Sequence, residues 1–416
     1  MREIRRLSGD EFLDFARISA NAYPAFPIHT EEERQRMAGR FREQDADPAR
    51  PFYGLFEAET LLGGMILYDY TMNVHGAQVP VEGVGAVAVD LLHKKEHAAR
   101  DLIRFFLDYS RDKGAALALL YPFRPDFYKQ MGFGYGTKLN EYRVHPASLP
   151  KGPSKQHIAW LSQADTPLVL GCYQRCQART HGLIQRSEAD VARFFTAADR
   201  RVVGYKRDGQ VLGYLVFTFR RHDQGNFLIN DLHVDELLYE TREALAALFT
   251  FLHSQADQIR FVVIRTQDEE FHHLLLDPRS DSEALLPSVY HPSNVQGVGL
   301  MYRVIDLPGI FERLREHDFG GQNCRVKMTL NDSFYPANAG SLVVHFRDGR
   351  PSVSKEDAHD VEMRLEVAEF SSLLLGLVRF RSLYLYHLAD LSDPGYLETL
   401  NRLFHVPDKP ICLTAF

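Results

Sequence analysis

The sequence has few cysteines, no long apolar run and no excess of positive charge. Its four cysteines include only one close pair, and a structural zinc site needs two, so we expect no bound metal. We expect the cysteines to be free thiols. That usage is typical of a reducing cytoplasm. The apolar stretch Ser371–Val378 is too short to span a bilayer, and no apolar core follows the first six residues. We therefore expect neither a membrane partner nor a signal peptide.

The charge balance argues against nucleic acid as a main partner. Lys and Arg number 48 and Asp and Glu 55, which gives a formal net charge of −7. Such a chain has no pervasive positive charge with which to neutralise phosphates. Apolar residues make up 45% and charged residues 25%, which excludes a mostly disordered chain. The 416 residues suggest two or three domains.

Strand and helix patterns alternate along the first 150 residues. A threonine followed by three glutamates predicts a capped helix at Thr30–Arg42. The small, β-branched run Gly83–Val89 predicts a central strand. Glu96–Lys113 has apolar residues on one helical face, and Ala115–Tyr121 predicts another buried strand. We expect Lys138–Val144 to be the last strand of this segment.

The next block repeats the same order of patterns. A stretch rich in Pro, Ser and Gly, His145–Lys155, separates the two segments. At an offset of 145 residues, VAVD at 87–90 aligns with LHVD at 232–235. We interpret this as a duplication of one α/β unit, the alternative being a chance match between apolar helices. From about Val298 the pattern changes, so we expect domains at 1-150, 151-297 and 298-416 in a mixed α+β chain.

The region 83–136 resembles the core of the Gcn5-related N-acetyltransferase (GNAT) superfamily. LYPF at 120–123 and FYKQMGFGY at 127–135 are similar to a motif of its Eis-like (enhanced intracellular survival) branch. The resemblance covers essentially the whole chain. It implies tandem GNAT folds followed by a domain similar to sterol carrier protein 2. It further implies acetyl-CoA as co-substrate, a small-molecule or peptide amine as acceptor, and a homo-oligomer, with a hexamer as a common form.

The same resemblance assigns the acetyl-CoA site. Backbone amides of a strand hold the thioester and the pantetheine arm, and the turn and helix start that follow hold the pyrophosphate. In this sequence the implied positions are Val87, Ala88, Val89, Lys95, Glu96, His97, Ala98, Ala99, Arg100, Phe123 and Arg124. The turn departs from the family pattern at His97, where the family has glycine. A side chain there crowds the approach of a phosphate to the backbone.

Two further residues take catalytic roles by the same resemblance. Tyr128 stands at the general-acid position, and its phenol, with an ordinary pKa near 10, is protonated at neutral pH. The C-terminal carboxylate, here that of Phe416, stands at the general-base position. The alternatives are a core tyrosine and a hydrophobic plug. A second hypothesis for the whole chain is a non-catalytic ligand-binding protein on a GNAT scaffold with an altered phosphate turn.

Overall fold

The structure is a computed structural model that describes residues 2–25, 28–223, 225–280 and 284–416. These residues form two compact units. The first contains the chain up to Gly136, together with Leu300–Pro410 and Thr414–Phe416, and the second contains Thr137–Gly299 and Ile411–Leu413. Within these described ranges, no helix is both long enough and apolar enough to cross a membrane.

The part of the first unit that precedes residue 137 alternates strands with four helices among the described residues. Its elements are β1 (Arg2–Arg6), α1 (Glu11–Ala22), α2 (Glu31–Asp45), β2 (Phe52–Glu57), β3 (Thr60–Val74), β4 (Ala77–Val89), α3 (Ala98–Asp112), β5 (Leu117–Leu120), α4 (Pro125–Lys129) and β6 (Gly134–Tyr135).

The second unit repeats much of that order. Its elements are β7 (Leu139–Val144), β8 (Ile158–Trp160), α5 (Thr166–Gln177), α6 (Glu188–Thr196), β9 (Arg200–Arg207), β10 (Gln210–Asp223), β11 (Asn226–Tyr239), α7 (Arg242–His253), β12 (Ile259–Thr266) and β13 (Asn294–Gly297).

The remaining elements belong to the first unit. They are β14 (Met301–Val304), α8 (Leu307–Arg313), β15 (Cys324–Asn331), β16 (Gly340–Arg347), β17 (Arg350–Ser354), β18 (Val361–Glu366), α9 (Val367–Leu374), α10 (Phe380–Leu385), β19 (Ala389–Leu391) and α11 (Leu397–Leu403). Strands β15 to β19 form a sheet in the order β17-β16-β15-β18-β19.

Helix α2 begins where the sequence predicts. Thr30 accepts a hydrogen bond from the Glu33 backbone N–H, and the Glu33 carboxylate accepts one from the Thr30 N–H, which confirms the capping box of α2. Helix α3 buries its apolar face, including Leu102 and Phe106, against the sheet. Burying such side chains stabilises the fold by roughly 1.5–3 kcal/mol each.

The seven-stranded sheet of the first unit has a gap between two of its central strands, β4 and β5. The order is β1-β2-β3-β4-β5-β14-β6. Strands β4 and β5 run parallel, and their pairing ends at Val84 and Leu120. Beyond that point β4 continues to Val89 along β3. The two strands therefore diverge, and backbone groups of β4 become available on the side that β5 has left.

The second unit has a sheet with the corresponding order, β8-β9-β10-β11-β12-β7-β13. Strands β11 and β12 are parallel, as β4 and β5 are, which fits the predicted duplication. The strand expected to close the first segment, β7, instead pairs with β12. In the first unit the equivalent place beside β5 is taken by β14. The boundaries after residues 150 and 297 stay a prediction.

Candidate active site

A cavity of about 600 Å³ lies in the first unit where β4 and β5 diverge. It is bordered by the end of α1, by β4, by the turn before α3 with the first residues of that helix, and by the segment around α4. The lining residues are Ala22, Tyr23, Val87, Val89, His93, Lys94, Lys95, His97, Ala98, Ala99, Arg100, Phe123, Arg124 and Phe127.

The wall formed by β4 contains a bulge. Two residues of β4, Ala86 and Val87, lie opposite the single residue Met65 of β3, and Ala86 has a positive φ of 48°. The Tyr23 hydroxyl donates a hydrogen bond to the Val87 carbonyl oxygen at 2.8 Å. Val87 and Val89 line the cavity, whereas Ala88 faces the core beneath α1. The bulge and Tyr23 together fix the stretch of β4 that borders the cavity.

The turn before α3 uses the left-handed conformation twice. Lys95 has a φ of 67° and His97, the N-cap of α3, has a φ of 65°. Glycine adopts this region without strain, which explains why the related motif has glycine at the His97 position. Among the described residues, the N-cap His97 makes no side-chain hydrogen bond to the first turn of α3. Its free N–H groups and the helix dipole favour an anion at this end of the cavity.

Unpaired cations surround that helix start. In the described part of the chain, Lys94, Lys95 and Arg100 are exposed and take part in no ion pair. Glu96 does not line the cavity because its carboxylate contacts Arg2 at 3.3 Å. The local charge at the cavity mouth is therefore positive, as a pyrophosphate requires.

Tyr128 is a buried residue of α4 that lies behind the lining residues. Its ring packs against Phe123 and Phe127, with centroids 5.7 and 5.2 Å away. Burial raises the pKa of the Tyr128 phenol above its ordinary value, and the nearby Tyr23 adds to the shift. Within the described ranges, no hydrogen bond engages its hydroxyl. The phenol is thus a neutral proton donor at any physiological pH.

Phe416 lies on β4 rather than among the cavity-lining residues. Its ring contacts three tyrosines, Tyr68, Tyr70 and Tyr121, with centroids 5.2–5.5 Å away. A Cβ added at Gly85 would lie 2.9 Å from the Phe416 carboxyl carbon. This is closer than side chains approach one another, so the carboxyl group sits directly over the Gly85 backbone, two residues before Val87.

The structure therefore brings nine of the eleven implied acetyl-CoA positions to one cavity, and leaves out Ala88 and Glu96. Tyr128 and Phe416 lie next to it. The implied positions did not include Ala22, Tyr23, His93, Lys94 or Phe127, which also line the cavity. Phe127 was signalled by its place in the FYKQMGFGY motif, but Tyr23 depends on a contact between α1 and β4 that no local pattern encodes.

Comparisons with known proteins agree with the predicted order of domains. Residues 3–136 and 176–304 each match a family model described as an acetyltransferase (GNAT) domain. Residues 311–413 match a sterol carrier protein domain. The predicted duplication and the predicted C-terminal domain are thereby confirmed.

Individual relatives are similar over most of the chain. An uncharacterized N-acetyltransferase of Streptomyces coelicolor is 25% identical over 344 residues, which are 79% of each chain. A crystal structure of a GCN5-related N-acetyltransferase from Anabaena variabilis superimposes with a TM-score of 0.81 at 16% identity, covering 100% of both chains. Eis1 from Mycobacterium abscessus gives 0.75 at 20% identity, again over 100% of both. The chain belongs to the GNAT acetyltransferase superfamily, with two GNAT domains followed by a sterol carrier protein domain in the same fold as Eis1.

Proposed function

We propose that this acetyltransferase binds acetyl-CoA in the cavity of the first unit and transfers the acetyl group to a primary amine. The acceptor is the amine of a small molecule, a peptide or a lysine side chain. One observation carries the proposal: a single cavity joins the half-buried stretch of β4, at Val87 and Val89, to the start of α3, where the N-cap His97 makes no side-chain cap. This arrangement suits a thioester at one wall and a pyrophosphate at the helix terminus.

The proposed reaction is a direct transfer within a ternary complex. The Phe416 carboxylate accepts a proton from the ammonium group, so that a neutral amine attacks the thioester carbonyl carbon. The new C–N bond forms as the C–S bond breaks, the nitrogen gives its second proton to water, and Tyr128 gives its phenolic proton to the departing thiolate. Solvent later returns a proton to Tyr128 and removes one from Phe416. Backbone N–H groups of β4 stabilise the developing oxyanion.

We also propose a cytoplasmic homo-oligomer, with a hexamer as a common form. The location is supported by the four cysteines, which are buried free thiols. The oligomer is supported by the family resemblance.

The alternative of a non-catalytic binding protein has one observation in its favour. His97 places its imidazole at the cavity, at the position where the related motif has a glycine and therefore no side chain. If the imidazole excluded the pyrophosphate, the cavity would take a different ligand. Turnover with acetyl-CoA separates the two functions.

The test measures thiol release from acetyl-CoA across a panel of primary amines. The wild type is compared with a variant that carries a short extension after Phe416, and the same extension at the other end of the chain is the matched control. We expect the extension after Phe416 to abolish turnover while acetyl-CoA still binds, because an amide replaces the carboxylate. Full turnover of that variant would contradict the assignment of the base, and no turnover by the wild type with any amine would favour the binding protein.

A further inference from the structure

Tyr121 is an exposed aromatic residue that the catalytic scheme does not use. It directly follows β5, at the point where β5 has parted from β4. Its side chain is 41% exposed. Its ring centroid lies 5.2 Å from that of Phe416, and its hydroxyl donates a hydrogen bond to the Thr414 carbonyl oxygen at 3.0 Å. Tyr121 thus contacts two of the last three residues of the sequence, Thr414 and Phe416.

The other contacts described for Phe416 are made with its ring, and the backbone before Thr414 is held separately at Leu413, whose carbonyl oxygen accepts a hydrogen bond from Arg186 at 2.7 Å. Tyr68 and Tyr70 stack on each other at 5.7 Å, and each ring lies 5.5 Å from that of Phe416. Gly83, which lies opposite Tyr68 on the neighbouring strand, leaves room for the ring, because a Cβ there would lie 2.9 Å from it. These contacts act on the ring, whereas the hydrogen bond of Tyr121 acts on the backbone two residues earlier.

A carboxylate that acts as a base must be placed to within a fraction of an ångström. The position of the Phe416 carboxylate depends on two nearby groups of the chain: the Phe416 ring and the Thr414 carbonyl, two residues earlier. We propose that Tyr121 is a positioning residue that fixes this carboxylate, by packing on the ring and by bonding to Thr414. This role rests on the proposed function of Phe416 as the base.

The first test needs no catalysis. A carboxypeptidase removes Phe416 only when the last residues detach from the residues that they contact in the folded protein. Mass spectrometry of the intact protein measures the loss of Phe416. Tyr121→Phe keeps the ring and removes the hydrogen bond, so we expect Phe416 to be released roughly two- to tenfold faster than in the wild type. Tyr121→Leu removes both contacts and is expected to release it faster still. Tyr53→Phe, which removes a hydroxyl elsewhere in the same sheet, is the matched control. Release from Tyr121→Phe at the wild-type rate would overturn the proposal.

The second test separates positioning from packing. With the amine found in the activity panel, Tyr121→Phe is expected to lower kcat roughly tenfold and to leave KM for acetyl-CoA within twofold, since the cofactor cavity is untouched. An unchanged kcat would overturn the catalytic part of the proposal. If the wild type shows no transfer at all, the proposed function fails, and faster release of Phe416 from Tyr121→Phe still establishes that Tyr121 anchors the chain end.

Discussion

The His97 position offers the sharpest perturbation of the cofactor site. Its φ of 65° lies in the left-handed region, which costs an L-residue about 1–2 kcal/mol and histidine somewhat less than most. His97→Gly relieves this strain. It also gives the unfolded chain more conformational freedom, which offsets about 0.5–1 kcal/mol of the stability gained by relieving the strain. The free energy of unfolding should therefore change by less than about 1 kcal/mol, and the variant should fold normally.

The effect on binding should be larger than the effect on stability. Without the imidazole, a phosphate can approach the first N–H groups of α3, and a hydrogen bond to a charged group is worth about 1.5–3 kcal/mol. Part of this is offset by the displaced water. We expect acetyl-CoA to bind roughly tenfold more tightly, which corresponds to about 1.4 kcal/mol. Isothermal titration calorimetry of the wild type and His97→Gly measures the difference.

His97→Ala is the matched control, because it removes the imidazole but retains a Cβ and the strained backbone. We expect its affinity to lie between those of the wild type and His97→Gly. Tenfold weaker binding by both variants would contradict this prediction, since it would mean that the imidazole contacts the phosphate. Equal affinity of all three proteins would show that the turn does not meet the cofactor.

Two further predictions concern proton-binding groups. Tyr128→Phe should lower kcat roughly 100-fold, with KM for acetyl-CoA within twofold, because the thiolate loses its acid. A kcat within twofold of the wild type would remove Tyr128 from the mechanism. Glu82 is buried on β4, and its burial raises the pKa of the carboxyl group to about 9 from 4.5. The folded state then holds a proton that the unfolded state releases, so stability should fall as pH rises from about 4.5 to about 9, by about 1.4 kcal/mol per unit. Urea denaturation should show a loss on the order of 4 kcal/mol between pH 5 and pH 8 in the wild type, largely absent in Glu82→Gln. The same dependence of stability on pH in the wild type and in Glu82→Gln would contradict this prediction.

The elements of the cofactor site were predictable because their signals are local. The β-branched run that forms the end of β4 and the amphipathic pattern of α3 are both visible in the sequence, and α3 begins two residues after the expected start. The second α/β block could be found by its offset because the same pattern of buried residues recurs. Family motifs supplied the site residues that no periodicity could identify.

Other features depend on pairing between distant segments. Strand β7 pairs with β12, and strand β14 pairs with β5. The sequence pattern of β7 is equally compatible with a sheet of the first segment, and that of β14 with a sheet of the third. An alternating apolar pattern determines that a strand forms but not which edge it joins. For the same reason the contact of Tyr23 with Val87 and the bond of Tyr121 to Thr414 could not be predicted.

The proposed function depends on binding of acetyl-CoA in the cavity between β4 and α3. Calorimetric titration of the wild-type protein, with no extension after Phe416, measures this binding. We expect one acetyl-CoA bound per chain with a Kd in the micromolar range, near −8 kcal/mol. We also expect weaker binding when Lys94 and Lys95 are both changed to glutamate, because these side chains line the cavity and make it positive. No binding at millimolar acetyl-CoA, or an affinity unchanged by this double substitution, would show that the cavity is not the acetyl-CoA site.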